Sequence, residues 1–273
     1  MQTIVHKLLF LLIISLSVYA DYPEQKLCSG GIVKLYFDEK PEIFINDKKI
    51  SVFLQKQENK WKLLLPISLY KKQDAISFIA KTSSVEQEYV ISLKDCNYQE
   101  QHIKVKNKEY VKPKKKTSKR INKDFKIKQK NLALHTVLKQ DSLKMIKPLN
   151  SKLRHDFGKR RFFNEVAKSP HAGIDLSGKK GTKIKASLGG EVILLGNLFY
   201  NGNMVLINHG QGLITAYSHL SKIYKSSGYK IKQGEYIGEV GMTGRATGPH
   251  LHFSVYLNGS PVNPDLFLED ASL

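Results

Sequence analysis

The chain has 273 residues, with 44 Lys and Arg against 24 Asp and Glu and a formal net charge of +20. That length suits one large or two modest domains. The only two cysteines, Cys28 and Cys96, lack metal-ligand spacing, so any metal site must be built from histidine and carboxylate.

The first residues, MQTIVHKLLFLLIISLSVYA, place Lys7 ahead of an apolar run and end in a small-residue Val18-Tyr19-Ala20 site. This is the pattern of a secretory signal peptide over residues 1–20, cut after Ala20. The apolar run is shorter than the roughly 20 residues a spanning helix needs, so no transmembrane span is expected in the mature chain. An uncleaved anchor is the other reading. Export to the periplasm or cell envelope follows, and it removes nucleic acid as a partner class despite the positive charge.

Residues 21–100 read as a small all-β domain. Apolar and polar residues partly alternate through Ile32–Phe37, Glu42–Ile45, Ile50–Leu54, Trp61–Leu65, Ala75–Ile79 and Tyr89–Leu93, with Asn46-Asp47 and Glu58-Asn59 as turns. In an oxidising compartment Cys28 and Cys96 most simply pair, closing this unit.

Residues 101–146 read as a basic linker followed by a helix. Thirteen Lys or Arg stand against Glu109 and Asp124 over residues 101–130, so much of the excess charge sits in one low-complexity stretch. A solvated linker is the default, with attraction to a polyanionic wall or membrane surface as the alternative. Residues 124–146 lack Gly and contain Leu132, Leu134, Val137, Leu138 and Leu143 at helical intervals, which predicts a helix there.

Residues 147–273 read as a second all-β domain. Short apolar strands, among them Glu191–Leu195, Met204–Ile207, Leu213–Tyr217 and Phe253–Leu257, alternate with turns at Gly189-Gly190, Asn201-Gly202 and Asn258-Gly259. Apart from His6, eight histidines remain, and six of them fall here: His155, His171, His209, His219, His250 and His252. SPHAGIDL spaces His171 and Asp175 four apart, YSHL carries His219, and GPHLHF puts His250 and His252 on one face of a strand. Several imidazoles with one carboxylate suit a borderline metal such as zinc.

The order His-x-x-x-Asp, Tyr-x-His-Leu, Gly-Pro-His-Leu-His resembles the M23 (lysostaphin-type) zinc metallopeptidases, which cut peptidoglycan cross-links. The likeness runs from about residue 147 to 268. It includes Asp156-Phe157-Gly158-Lys159-Arg160-Arg161 upstream and Gly241-Met242-Thr243-Gly244 ahead of the last histidines. The resemblance implies an antiparallel β-sheet catalytic domain that binds Zn2+ through His171, Asp175 and His252. It makes His219 and His250 the catalytic pair beside the metal.

Arg161 and Asn164, near the family's upstream loop, are expected along the substrate groove. Tyr217 shares a face with His219 by strand alternation, which makes it either a third groove residue or a core tyrosine.

The expected function is therefore that of a monomeric zinc endopeptidase acting on peptidoglycan, on D-Ala-containing cross-bridges, with D,D-carboxypeptidase activity as a further option. The alternative is an inactive M23 domain that binds and activates another wall hydrolase. The N-terminal domain, on a flexible linker, would either cover the groove or dock a partner.

Overall fold

The computed structural model describes residues 21–137 and 140–269; the expected signal peptide lies outside them. Among the described residues no helix is long and apolar enough to cross a membrane. Nearly all regular structure is β, as the short, turn-bounded apolar runs predict.

The N-terminal strands form two small antiparallel sheets. One has the order Ile32–Phe37, Lys60–Pro66, Phe53–Gln57, and the other Lys48–Ile50, Glu42–Ile45, Ala75–Lys81, Glu86–Ser92. Asn46 and Asp47 both take positive φ, the geometry of a tight two-residue hairpin turn whose twist matches the flanking strands. Val33, Ile43, Leu63 and Phe78 fill the space between the sheets. Cys28 and Cys96 form a disulfide, with their Cα atoms 5.6 Å apart.

The C-terminal part is built on an antiparallel sheet in the order Ile174–Ser177, His250–Leu257, Leu213–Leu220, Gly202–Gly210, Gly190–Leu198, Lys230–Ile231, with Ser260–Val262 paired to His250–Leu257. The central strand Leu213–Leu220 is buried along its whole length. It is covered on both faces, so its residues are apolar or internally bonded rather than alternating. A smaller sheet of Lys183–Lys185, Tyr236–Glu239 and Lys222–Ile223 packs alongside.

Two features correct the sequence reading of residues 101–146. The helix spans Lys115–Leu132 rather than 124–146. Lys, Arg and Gln are good helix formers, and the helix is docked by specific contacts. Asp124 Oδ2 accepts from Phe199 N at 2.8 Å, Arg120 bonds Asn197 Oδ1 at 2.9 Å, and Leu132 enters a cluster with Leu198, Met204 and Tyr256. Beyond Ala133 the chain is drawn along the sheet instead, with Gln211 N donating to Thr136 O and His135 bonded to Val52 O. Val137, read as part of an apolar stripe, is 79% exposed.

The second correction is that residues 101–114 are not a free linker. Strand Glu100–Ile103 pairs in parallel with Arg160–Phe163, which in turn forms a hairpin with Val166–Ala167. The two halves also share one core: Ile32, Phe53, Leu64 and Leu69 belong to the same buried cluster as Met145, Phe157, Ile174 and Leu266. Gly30 shows how close the halves lie, because a Cβ there would sit 2.4 Å from the Phe157 ring. The N-terminal sheets are thus a fixed part of the scaffold that carries the hairpin Arg160–Ala167.

Candidate metal centre

The site grows from one strand pairing. Asp175 is the register partner of His252, and Ser177 that of His250, between Ile174–Ser177 and His250–Leu257. Directly opposed residues on one sheet face lie within side-chain reach, so Asp175 Oδ1 comes 2.9 Å from His252 Nδ1. His171 enters from the loop before the first strand, its Nε2 3.1 Å from Asp175 Oδ1 and 3.0 Å from His252 Nδ1. Gly173 permits this approach: a Cβ there would lie 2.3 Å from Phe253 O and 2.9 Å from the His252 ring.

Neighbouring groups fix which ring atoms face inward. His171 Nδ1 donates to the Asp156 carbonyl at 2.8 Å, which leaves Nε2 with a bare lone pair. His252 Nε2 lies 3.0 Å from Ser254 Oγ; donation of that N–H to the hydroxyl leaves Nδ1 bare. Asp175 Oδ2 accepts from Arg161 at 2.8 Å, and Asp175 N donates to Asp156 Oδ1 at 3.1 Å. Such bonds to the far side of each ligand orient it and set its basicity.

Three lone-pair donors therefore converge within about one hydrogen-bond length, an arrangement that repels itself unless a cation sits among them. The donor set, two imidazoles and one carboxylate, fits a borderline divalent metal with a position left open. His171, Asp175 and His252 are the described residues whose ligand atoms cluster in this way. Burial alone would raise the Asp175 carboxyl, but the imidazoles of His171 and His252 beside it hold it well below the usual carboxylate range. Burial pushes His252 down to about 3 against the pull of Asp175. Both ligands are thereby kept in the unprotonated form that a metal requires.

Two further imidazoles flank the three. The rings of His219 and His250 are 4.8 Å apart, and His219 is 6.0 Å from His252. Each donates Nδ1–H to a backbone carbonyl of the same loop, His219 to Thr243 O at 2.7 Å and His250 to Gly248 O at 2.8 Å. Each therefore presents a free Nε2. Burial, and the adjacent His250, push His219 down to about 4, so it is neutral and able to accept a proton at neutral pH.

His219 reaches this position by breaking the strand rule. Its φ is +69°, and the pairing register with Gly202–Gly210 shifts between Asn203 and Val205. Strict alternation would send its side chain to the face of Tyr217. A non-Gly residue in the left-handed region is uncommon, and such residues concentrate at functional sites.

The same break corrects the expectation for Tyr217. It is fully buried, its ring 5.3 Å from that of Phe253, and its hydroxyl accepts from Ser187 N at 2.8 Å. Tyr217 is a core residue and does not line the groove. Asn164 is also committed elsewhere: its side chain bonds both Val105 N and Val105 O, at 2.9 and 3.0 Å. It ties the tip of the Arg160–Ala167 hairpin to the segment after Glu100–Ile103 instead of facing substrate. Arg161 sits at the site, but on Asp175 and Gln101 Oε1. The supporting roles of Asp156, Thr243 and Ser254 are not evident in the sequence, where Asp156 and Thr243 show only within the Asp-Phe-Gly and Met-Thr-Gly stretches.

Residues 169–264 match Peptidase family M23. The chain is 46% identical over 94 residues to a DD-carboxypeptidase/endopeptidase, Mpg, of Neisseria meningitidis, covering 34% of this chain and 22% of that protein. It is 42% identical over 119 residues to the peptidoglycan DD-endopeptidase ShyA of Vibrio cholerae, covering 42% of this chain and 28% of that one. The chain thus spans less than a third of the length of these curated relatives. A crystal structure assigned to peptidase M23 from Pseudomonas aeruginosa superimposes with a TM-score of 0.70 at 28% identity, over 89% of this chain and 95% of that chain. With this sheet, and a His-Asp-His cluster inside the matched segment, residues 169–264 form a domain of peptidase family M23.

Proposed function

We propose that the protein is a zinc endopeptidase of the cell envelope that hydrolyses D,D-peptide cross-links of peptidoglycan. The convergence of bare lone pairs from His171, Asp175 and His252, beside the free Nε2 atoms of His219 and His250, carries this reading. The named activities of the Neisseria and Vibrio relatives supply the substrate class. They also leave D,D-carboxypeptidase action within the proposal, and envelope localisation follows from such a substrate.

A peptide bond is a poor electrophile and water a poor nucleophile at neutral pH. Zinc held by the three residues supplies Lewis acidity to both partners of the reaction. The rest falls to the chain. His219 and His250 are the groups able to move protons, because their Nδ1–H bonds to Thr243 O and Gly248 O fix the tautomer with Nε2 toward the substrate. One imidazole takes a proton of the attacking water at its bare Nε2; the imidazolium so formed steadies the oxyanion and then delivers that proton to the leaving nitrogen. A correctly placed acid or base contributes on the order of 10²- to 10⁴-fold.

Residues 21–273 should bind about one zinc per chain and release monomers from cross-linked muropeptides, read by mass spectrometry. A metal-free protein, or a loaded one inert on every cross-linked wall, would defeat the proposal. In the second case the inactive-activator reading takes its place.

A further inference from the structure

The loop between Tyr236–Glu239 and His250–Leu257 carries a second cation that the hydrolytic site does not use. Arg245 lies two residues after Thr243, the anchor of His219, and three before Gly248, the anchor of His250. Its backbone N donates to Tyr200 O at 2.9 Å. The preceding Gly244, at φ +69°, is pressed so close to Gly202 that a Cβ would lie 2.3 Å from Gly202 N. Tyr110 Oη pins the same turn by donating to Gly244 O at 2.9 Å.

The side chain is held as firmly. The guanidinium carbon lies 4.1 Å from the ring centre of Phe163 and 4.5 Å from that of Tyr200. It rests against Phe163, at the end of the strand Arg160–Phe163, and against Tyr200. One long contact of 3.4 Å to Tyr110 O is its hydrogen bond to the protein. Among the described residues no carboxylate pairs with it, whereas Arg161 is committed to Asp175. Burial holds it down to about 10, so it remains charged at neutral pH.

A half-buried guanidinium without a counter-ion is costly unless something pairs with it. Contact with two aromatic rings holds the guanidinium in place and, beyond the long bond to Tyr110 O, leaves its N–H groups without a protein partner among the described residues, available to a carboxylate in bidentate fashion. We infer that Arg245 is a carboxylate receptor, taking the carboxylate borne on the carbon attached to the scissile nitrogen. This inference rests on the proposed function and adds to it the feature by which the substrate is read.

The placement follows from the chemistry of the leaving group. The leaving nitrogen takes its proton from His219 or His250, and both are tethered to the loop that carries Arg245. A substituent one carbon from that nitrogen is assigned to the guanidinium, which shares the loop with Thr243 and Gly248 and rests on Phe163, two residues from the Arg161 that bonds Asp175. In a D,D-cross-link this substituent is the α-carboxylate of the diamino acid, and in an uncross-linked stem it is the C-terminal carboxylate of the last D-Ala. The chemistry is the same in both. In the interior of a glycine bridge the same carbon carries an amide, which offers no charge to pair.

The test uses the metal-loaded full mature chain on four substrates: a cross-linked dimer and a D-Ala-D-Ala-ended pentapeptide, each as the free acid and as the carboxamide at the position named. The wild type should prefer the acids by on the order of 10- to 100-fold in kcat/KM, as expected when a charge-matched site meets a partner lacking the charge. In Arg245→Gln the acids should fall to the level of the amides, and Arg245→Lys should restore part of the preference. The two acid arms show whether cross-link, free end or both are read.

Equal cleavage of acid and amide by the wild type, or a preference that survives in Arg245→Gln, overturns the inference while leaving the peptidase reading intact. Binding of D-Ala-D-Ala and its amide, followed by NMR, reads the site without turnover. Arg245-dependent preference for the acid in a protein that cleaves nothing would uphold the carboxylate site and defeat the peptidase reading. Equal binding of acid and amide would overturn the site. Retained zinc and an unchanged NMR fingerprint establish that Arg245→Gln is folded.

Discussion

Asp175 and His252 face one another as register partners across an antiparallel strand pair, with Oδ1 2.9 Å from Nδ1. His250, two residues earlier on the same face, has its Nε2 3.8 Å from the same oxygen. It is turned by its bond to Gly248 O so that it stands beside the cluster rather than in it. The two histidines of Gly-Pro-His-Leu-His thus share a face and differ in their partners.

Separate substitutions should divide their roles. His252→Ala removes one of three ligand atoms and should lose the metal, measured as zinc per chain after gel filtration. His250→Ala should keep the metal and lose turnover by on the order of 10²-fold or more. Equal loss of zinc in both variants would refute the division.

Arg161 should act on the metal through Asp175. Its guanidinium bonds Asp175 Oδ2 at 2.8 Å and Gln101 Oε1 at 3.0 Å. Arg161→Met should weaken zinc binding by about 10-fold, read by competition with a chromophoric chelator. Unchanged affinity would reduce Arg161 to a packing residue.

Stability should depend on pH through His209, which is remote from the metal ligands. It is buried, with Nδ1 on Gly189 O and Nε2 on Thr215 Oγ1, and burial pushes it down to about 4. The unfolded chain takes up a proton near 6.5 that the folded chain refuses until about 4. The contribution is therefore fully present above that window and is lost as the pH falls through it, by about 3 kcal/mol. Urea unfolding in the presence of a chelator should show the gap between wild type and His209→Gln shrinking by about that amount from pH 7.5 to 4.5. A pH-independent gap would contradict it.

The Cys28–Cys96 disulfide closes a loop with a sequence separation of 68. The double substitution to serine should lower unfolding stability by about 2–4 kcal/mol, measured by urea denaturation with and without reductant. The loss should reach the metal centre too, because the N-terminal sheets share a core with it. Zinc retention should fall together with the fluorescence transition.

Much of the site was legible because its chemistry is carried by residue types that are rare and locally spaced. His171 and Asp175 sit four apart, His250 and His252 two apart, and the alternation of a strand is enough to put the last two on one face. The β character of both halves followed from turn-bounded apolar runs. The basic segment was harder to read, since lysine spacing cannot distinguish a solvated linker from a helix anchored by Asp124, Arg120 and Leu132 through distant partners.

Composition and periodicity specify two β units, two cysteines able to pair, and a set of imidazoles with one carboxylate. Only the tertiary structure decided which lone pairs converge, because that depends on strand register between segments some 75 residues apart and on backbone carbonyls that select each tautomer. It also decided against Tyr217. A left-handed residue at His219, and the bulge beside it, turn the histidine to the metal face and leave the tyrosine in the core. Alternation is a local rule, and it fails where long-range pairing supports a strained backbone. Arg245 is the same lesson from the other side: one arginine among 44 basic residues becomes distinctive only when two aromatic rings lie against it and, among the described residues, no carboxylate pairs with it.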